Sequence, residues 1–401
     1  MTIPLILYRS LRQHALPSLV AIASIALASG LLMTVWAVKE EAQDSFVNTT
    51  TTFDAVLGAR GSKLQLVLNS IFHLEASPGN LPESDYLMIK HHPAVKTAIP
   101  IAVGDNYYGW RIVGTIDELF SGVEITPGRH FTVERGGRLF SADRKEAVLG
   151  SFAARRTGLK VGDTFHPFHG LSFDPRQQHA DLYTVTGILE PTNTPADRVI
   201  WIPLEGLQTM SGHDPRLAHD VSAVLIQLRA PSAGFMLDLM YNRQGNRLTF
   251  AYPVGAIIAD FFSKIDWFDR VLALVAYLVA VVAAASVLAG IYASMSARQR
   301  DLAILRALGA RRRTVFGAVL GEAACIGALG ACLGYFVYAG LFTAVAAVIR
   351  AQTGVVLALG AWHPVLWAGP AAMILLCSLG GIVPALKAYR LPVAETLAPT
   401  S

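Results

Sequence analysis

Four long apolar segments constrain this chain more than any other feature of its sequence. Residues 17–38, 271–295 and 362–386 contain no Asp, Glu, Lys or Arg, and residues 314–349 contain only Glu322. About 20 consecutive apolar residues take an α-helix across a bilayer, where lipid offers backbone groups no hydrogen-bond partner. Charged residues make up 15% of the chain, against roughly 25% in soluble domains. The sequence therefore predicts an α-helical integral membrane protein with four transmembrane helices.

The first apolar segment also has the basic start of a signal peptide, because Arg9 and Arg12 precede it. Its apolar run exceeds the roughly 7–15 residues of a signal core. Lys39 and Glu40 follow it, where a cleavage site needs small residues. We therefore expect an uncleaved anchor.

The distribution of arginine predicts the orientation of these helices. Residues 296–313, between the second and third apolar segments, contain six arginines and one acidic residue, Asp301. Short loops rich in basic residues stay in the cytoplasm. We therefore predict a bacterial inner-membrane protein with both termini cytoplasmic and residues 39–265 outside.

The region between transmembrane helices 1 and 2 is predicted to be a large α+β extracytoplasmic domain. Apolar and β-branched runs alternate there with turn residues and helical stretches. Strands are predicted at 95–103, 110–115, 147–149, 158–165, 182–189, 199–202 and 222–228, and helices at 62–71, 83–91 and 206–210. The complete order is a cytoplasmic segment (1–16), TM1 (17–38), the outer domain (39–265) with a stalk helix (260–270), TM2 (271–295), a cytoplasmic helix (296–313), TM3 (314–349), a short outer loop (350–361), TM4 (362–386) and a cytoplasmic tail (387–401).

The cytoplasmic segment 296–313 has the pattern of a short amphipathic helix. Leu302, Leu305 and Leu308 recur at helical spacing, and Gly309 follows as a helix terminator. A basic amphipathic helix suits two roles: lying on anionic lipid, or inserting into a groove on a partner protein. The residues alone leave both interpretations open.

The motifs of a nucleotide-hydrolysing or hydrolytic enzyme are missing from these 401 residues. The P-loop pattern G-x-x-x-x-G-K-[ST] does not occur, and residues 58–63, which are the nearest approach, have the wrong spacing. A nucleophile elbow of the form G-x-S-x-G does not occur either. No basic stretch interleaved with aromatic residues indicates nucleic-acid binding. We predict that this chain is not an enzyme and needs no cofactor of its own.

Two segments resemble the permeases of the MacB/FtsX/lipoprotein-exporter superfamily of ABC transporters. One is residues 300–321 (RDLAILRALGARRRTVFGAVLG) with the glutamate-bearing span that follows, and the other is the ending PALKAYRLPVAETL at 384–397. Asp301 stands where the family pattern has glutamate, and Arg311 where a small polar residue is common. The order of one span, a large outer domain and three further spans is also the family's own.

This resemblance implies a permease subunit that works with a cytoplasmic ABC ATPase dimer, which would bind ATP and magnesium. It also implies a second permease copy or paralogue, contact with membrane lipid, and a periplasmic adaptor or lipoprotein as a further candidate partner. Such a complex would drive mechanical export or extraction of a lipid, lipoprotein, peptide or drug. The implied ATPase-coupling residues are Arg300, Asp301, Leu302, Leu305, Arg306, Leu308 and Gly309.

Two other functions compete with a transporter. An FtsX-like regulator would transmit ATPase-driven force to an extracytoplasmic partner, and an anchored sensor would bind a metal or ligand. His166, His169 and His179 are weak candidates for a metal site, because Pro167 disfavours a helix that would align the first two. His213 and Asp214, together with His219 and Asp220, form a second group. We predict no metal site at either group.

Small and polar residues in the third span have structural interpretations. Gly327, Gly330, Ala331 and Gly334 have the spacing of a close helix-packing face, with the first span as the expected neighbour. Glu322 is the single acid within an apolar segment. Since an intramembrane charge is costly, we expect Glu322 to pair with an arginine such as Arg313 or to cap a helix end.

Overall fold

The computed structural model describes residues 15–126, 128–297 and 299–390, together with Arg9, Arg12 and Gln13. These residues form two compact units. The helical unit comprises Met1–Glu41, Ile265–Ala347 and Ala358–Ser401, and the α/β unit comprises Ala42–Lys264 and Val348–Leu357. Most of the predicted segment 1–16, and residues 391–401 of the predicted tail, lie outside the described residues.

Eleven α-helices occur in the described residues. They are α1 (Ala15–Thr49), α2 (Lys63–Ser70), α3 (Glu83–Lys90), α4 (Glu118–Gly122), α5 (Ser151–Thr157), α6 (Leu204–Gln208), α7 (Pro231–Asp238), α8 (Val254–Ala297), α9 (Gln299–Ala307), α10 (Arg312–Thr353) and α11 (Val365–Tyr389). A π-helical turn, Leu239–Gln244, and the 3₁₀ turns Thr50–Thr52, Pro195–Arg198 and Pro215–Leu217 complete the helical elements.

Four of these helices are long and apolar enough to cross a membrane, counted over the described residues: α1, α8, α10 and α11. The predicted fold class is thereby confirmed, with four such helices and a mixed α/β domain between the first and the second. The 44 residues of α8 correspond to about 66 Å of helix, roughly twice the hydrocarbon thickness of a bilayer. Helix α8 begins at Val254, six residues before the start of the predicted stalk helix at 260, and it continues without a break to Ala297.

Large apolar side chains cover the outside of the helical unit. Leu278, Phe336, Trp362 and Leu375 are each at least 60% exposed, an arrangement that would be unfavourable in water and is typical of a lipid-facing surface. The first helix differs, because 56% of its most apolar window is buried, against 17–28% for the other three. Helix α1 therefore buries a larger share of its apolar surface within the described protein than α8, α10 or α11 does.

Close packing between α1 and α10 depends on three glycines. A Cβ atom at Gly330 would lie 2.6 Å from Ile25 Cβ, and one at Gly334 would lie 2.9 Å from Ser29 Cβ. Conversely, a Cβ atom at Gly30 would lie 2.6 Å from Val337 Cβ. The predicted small-residue face thus packs on the first span at these positions. Gly327 instead lies against α11, since a Cβ atom at Gly327 would lie 3.0 Å from Cys377 Cβ.

The α/β unit contains twelve strands, counted over the described residues. They are β1 (Ala55–Ala59), β2 (Val95–Tyr107), β3 (Trp110–Thr115), β4 (Glu124–Thr126), β5 (Arg129–His130), β6 (Glu146–Leu149), β7 (Thr164–Phe165), β8 (Phe168–His169), β9 (Tyr183–Ile188), β10 (Ile200–Pro203), β11 (Ala223–Leu228) and β12 (Leu248–Ala251).

Ten of the strands form one mixed sheet, in the order β12-β1-β11-β2-β3-β10-β6-β9-β7, with β8 paired to β2. The pairs β3–β10 and β6–β9 are parallel, and the others are antiparallel. Strands β4 and β5 form a separate hairpin. Strands β6, β10 and β12 are buried at every position, which explains why β10, with the sequence IWIP, does not alternate between apolar and polar residues.

Most predicted elements of this unit coincide with strands or helices of the structure, but the strand expected at 158–165 is reduced to Thr164–Phe165. Gly158 ends α5 with a left-handed φ of 77°, and its amide donates to Ala154 O. The glycines of that segment therefore terminate a helix and form turns. A helix end followed by a turn has the same Gly-rich sequence signature as a hairpin, so the pattern misled.

His73 gives the α/β unit a defined sensitivity to pH. The residue is half-buried, its Nδ1 atom is buried, and its ring lies edge-on against Trp201 with centroids 5.6 Å apart. Burial, reinforced by the positive charges of Arg111 and Arg198, lowers the pKa of His73 to about 3. Below its ordinary pKa of 6.5 the unfolded chain binds a proton that the folded chain refuses. Stability is therefore complete above pH 6.5 and falls as the pH drops towards 3.

We predict that the free energy of opening at β10 decreases by about 1.4 kcal/mol for each pH unit below 6.5. Amide hydrogen exchange of the peptide containing Ile200–Pro203, in the detergent-solubilised chain, measures it. His73→Asn should flatten this dependence, since Asn tolerates the φ of 55° found at this position. An equally steep profile in the variant would contradict the assignment to His73.

The α1–α10 contact generates a second prediction. Gly330→Leu should destabilise the helical unit by about 1–3 kcal/mol, because the new side chain overpacks Ile25. Gly340→Leu is the matched control, since a Cβ atom there meets nothing within 4 Å and the residue lies in the same helix. Thermal unfolding in detergent should separate the two variants. Equal midpoints would show that the close approach at Gly330 carries no stability.

Candidate functional site

Helix α9 is the element that the sequence predicts to couple this chain to an ATPase. It extends over Gln299–Ala307, and the amides of Leu308 and Gly309 continue its hydrogen bonding to Ile304 O and Arg306 O. Gly309 has a left-handed φ of 97°, the conformation that commonly ends a helix. Arg298 and the side chains of Arg300, Asp301, Leu302 and Leu305 lie outside what the structure describes.

Two large apolar side chains face solvent among those that the structure describes in this segment. Ile304 is 42% exposed and Leu308 is 80% exposed, whereas Ala303 is buried. Ile304 and Leu308 lie four residues apart and therefore on the same face of the helical turn. Arginines precede and follow this pair in sequence. An apolar pair with a basic surround can fill a groove on a partner protein or enter an anionic lipid interface.

Glu322 is buried in α10 with a side chain only 6% exposed. It lines a small cavity together with Pro17, Ser18 and Ile291. The carboxylate thus lies at a junction of α1, α8 and α10 within the helical unit. Its pairing with Arg313 stays a prediction.

Two polar contacts tie α1 to its neighbours within the helical unit. Lys39 Nζ lies 2.5 Å from Asp266 Oδ1 of α8. His363, which is almost fully buried, places its Nδ1 3.0 Å from Glu40 Oε2. Both contacts lie at the end of α1 opposite to Arg9 and Arg12. They fix the register of α1 against the other helices, and sequence analysis gave no sign of them because the partners are 227 and 323 residues apart.

A cluster of three histidines around one aspartate lies in the α/β unit. Asp105 Oδ1 is 3.1 Å from His179 Nε2, 3.3 Å from His213 Nε2 and 3.4 Å from His169 Nδ1. The four candidate donor atoms all lie within 4.8 Å of one another. Of the three weak candidates from sequence, the structure brings together His169 and His179. His166 points elsewhere, with its Nδ1 2.9 Å from Asp181 O.

Local structure explains how these side chains meet. Asp105 follows a register shift in β2 and is the direct cross-strand partner of His169 in β8. His179 lies beyond a bridge between Phe168 and Gln178, and its amide donates to Pro167 O. His213 follows α6 in a turn closed by its amide on Met210 O. One strand and two loops therefore converge on the Asp105 carboxylate.

The electrostatics of the cluster are dominated by Asp105, which is fully buried. Burial raises the pKa of the Asp105 carboxyl, but hydrogen bonds from His179 and His213 outweigh that effect and hold it below its usual range. The same hydrogen bond raises the pKa of His179. The cluster thus holds an ionised carboxylate facing ring nitrogens.

Sequence reasoning missed Asp105 altogether and assigned His213 to a group with His219, separate from His169 and His179. Asp105 lies 64 residues before His169, and His213 lies 34 residues after His179. Metal motifs are recognised from sequence by short fixed spacings, and this cluster has none. The available signal was the concentration of histidines at 166–179 and 213–219.

Comparison with known proteins gives the family. Residues 18–233 match the family described as MacB-like periplasmic core domain, and residues 273–393 match the FtsX-like permease C-terminal family. No curated protein matches the chain.

Two solved structures are similar to part of the chain. One is the periplasmic region of MacB from Actinobacillus actinomycetemcomitans, at 11% identity and a TM-score of 0.36, covering 54% of this chain and 94% of the other. Another is the extracellular domain of the noncanonic ABC-type transporter YknZ from Gram-positive bacteria, at 16% identity and a TM-score of 0.30, covering 49% and 97%. The first family match alone spans more than half of the sequence, and with the FtsX-like match it establishes that this chain belongs to the MacB/FtsX superfamily of ABC transporter permeases.

Proposed function

We propose that this chain is the permease subunit of an ABC transporter whose ATP-hydrolysing subunits are separate cytoplasmic polypeptides. A second permease copy or paralogue completes the complex, which sits in the bacterial inner membrane with α9 on the cytoplasmic side. ATP hydrolysis drives mechanical export or extraction of a lipid, lipoprotein, peptide or drug on the opposite side. The matches of residues 18–233 to a periplasmic core domain and of residues 273–393 to a permease C-terminal domain support the permease role.

The observation that carries this proposal is the exposed apolar pair on α9, within a chain of permease architecture. Ile304 and Leu308 form an exposed apolar pair on a short, arginine-rich segment, a pattern that suits burial in a partner protein or in a lipid interface. Helix-in-groove recognition uses such i, i+4 anchors with a basic rim. We infer that Ile304 and Leu308 insert into a groove of the ATPase, with Arg306 at the edge of the contact.

The alternative for α9 is an interfacial helix that lies on anionic lipid. Both interpretations bury Leu308, so exposure alone does not separate them. They differ in what fails when Leu308 becomes charged. Loss of an ATPase contact uncouples hydrolysis in the complex, whereas loss of a lipid contact leaves a complex whose ATPase is still stimulated by the permease.

The topology is tested by thiol labelling in a chain whose three cysteines are replaced by serine. Ala307→Cys, on α9, should react with a membrane-impermeant maleimide only after the inner membrane is opened, because its arginine-rich segment stays cytoplasmic. His219→Cys, at a side chain 84% exposed in the α/β unit, should react in intact spheroplasts. Labelling of the Ala307 position in intact spheroplasts would overturn the orientation and the coupling role together.

Coupling is tested with Leu308→Glu. Withdrawing one leucine from a buried contact costs about 1.5–3 kcal/mol, or about a 10- to 100-fold loss of affinity for the ATPase. Co-purification with the tagged full-length chain and ATP turnover in proteoliposomes measure the loss. Ala307→Glu is the matched control, since it introduces the same charge at an exposed neighbouring position on another face. Normal ATPase stimulation by the Leu308→Glu chain would remove the assignment.

A further inference from the structure

We propose that Asp105, His169, His179 and His213 bind one divalent transition-metal ion in the α/β unit, and that Zn²⁺ fits this site best. The family matches assign no such site, and the inference does not depend on the transport function. It rests on donor geometry, fixed ring orientation, a buried carboxylate and an access route.

The three separations between the Asp105 oxygen and the ring nitrogens agree with tetrahedral coordination, and all four donor atoms lie within 4.8 Å of one another. Zn²⁺ binds histidine nitrogen and carboxylate oxygen at about 2.0–2.1 Å, so neighbouring donors in a tetrahedron lie about 3.3–3.4 Å apart. The distances from Asp105 Oδ1 to the three ring nitrogens are 3.1, 3.3 and 3.4 Å. The ring centroids are 5.2–5.5 Å apart and the rings are steeply inclined to one another. Three imidazoles therefore converge on the carboxylate from separate directions.

Backbone carbonyls fix the orientation of two rings. His179 Nδ1 lies 2.5 Å from Ser211 O, and His213 Nδ1 lies 3.0 Å from Leu207 O. A carbonyl oxygen only accepts hydrogen bonds, so each Nδ1 carries the proton. In the neutral ring the Nε2 lone pair then faces inward, as in histidines whose other nitrogen is held by an outer-shell partner while they bind a metal.

Without an ion, hydrogen bonds from the Nε2 atoms of His179 and His213 to Asp105 require a second proton on each ring, because Nδ1 already carries one. Those protons would place two positive charges side by side around one carboxylate. A single divalent ion satisfies all the donors at once. Asp105 Oδ2 strengthens this argument, since it is buried and finds no hydrogen-bond partner among the described residues, and an ionised buried group of this kind is expected to pair or to coordinate a metal.

The site is also accessible. The His169 side chain is 53% exposed, and a cavity of about 280 Å³ is lined by His169, His213 and Asp214. Imidazole donors favour Zn²⁺ and its transition-metal neighbours, while Ca²⁺ and Mg²⁺ prefer oxygen donors. A bound ion would pin β2, the 166–181 segment and the turn at His213 to one another.

The test uses the full-length chain in detergent, freed of metal by a chelator and then dialysed against Zn²⁺. We expect one tightly bound ion per chain, a rise in the unfolding temperature of the α/β unit with Zn²⁺, and no competition by Mg²⁺. Co²⁺ in place of Zn²⁺ should give the visible d–d spectrum of a tetrahedral nitrogen–oxygen site. A chain that binds no Zn²⁺, or a Co²⁺ spectrum of octahedral type, would overturn the proposal.

Variants locate the ion. His169→Gln should lose tight binding while leaving the fold intact, because this side chain is half exposed; Asp105→Asn should lose it as well. His166→Gln and His219→Gln are matched controls, since both remove a histidine of the same unit that lies outside the cluster. Circular dichroism verifies folding of each variant. Unchanged Zn²⁺ stoichiometry and Co²⁺ spectrum in a folded His169→Gln chain would refute the assignment.

Discussion

The rest of the structure depends on the need to satisfy backbone hydrogen bonds where no water is present. In a bilayer an unpaired amide or carbonyl costs several kcal/mol, and a continuous helix pairs nearly all of them internally. Helices α1, α8, α10 and α11 meet that requirement with apolar side chains, and they leave residues such as Phe336 and Leu278 on the outside. Lipid is the solvent in which such a surface is stable. The apolar segments of the sequence and the exposure of their side chains therefore follow from one constraint.

Different forces stabilise the α/β unit and the helical unit. The α/β unit buries strands such as β6, β10 and β12 on both faces, so the hydrophobic effect in water drives its folding. Lipid tails are as apolar as leucine, and that driving force is missing between membrane helices. The helical unit relies on close approach at Gly30, Gly330 and Gly334 and on polar contacts at Lys39 and His363. Glycine is costly in a soluble helix, and here it is the residue that permits van der Waals contact between backbones.

Local patterns predicted the architecture well because the hydrophobic pattern of a membrane span or a strand lies within one short segment of sequence. The four apolar segments predicted four helices, and Gly309 predicted the end of α9. Partner choice was harder, because spacing along a helix indicates a packing face and says nothing about what packs on it. Gly330 and Gly334 lie on α1 as expected, but Gly327, one turn earlier, lies against Cys377 of α11. The strand predicted at 158–165 was wrong for a similar reason. Gly158 ends a helix, and glycine is also the residue expected in a hairpin turn.

The histidine cluster marks the limit of that reasoning. The central residue of the cluster is Asp105, which lies in a largely apolar strand, and the sequence around it matches no metal-binding motif. Only the pairing of β2 with β8, together with the return of the chain at His213, brings the four side chains into reach. Burying a carboxylate in a sheet costs several kcal/mol unless it is compensated, and the three imidazoles compensate Asp105 at only one of its two oxygens. The fully buried Asp105, with three imidazoles aimed at one of its oxygens and the other oxygen without a hydrogen bond among the described residues, is therefore better explained as one ligand of a cation than as an element of the core.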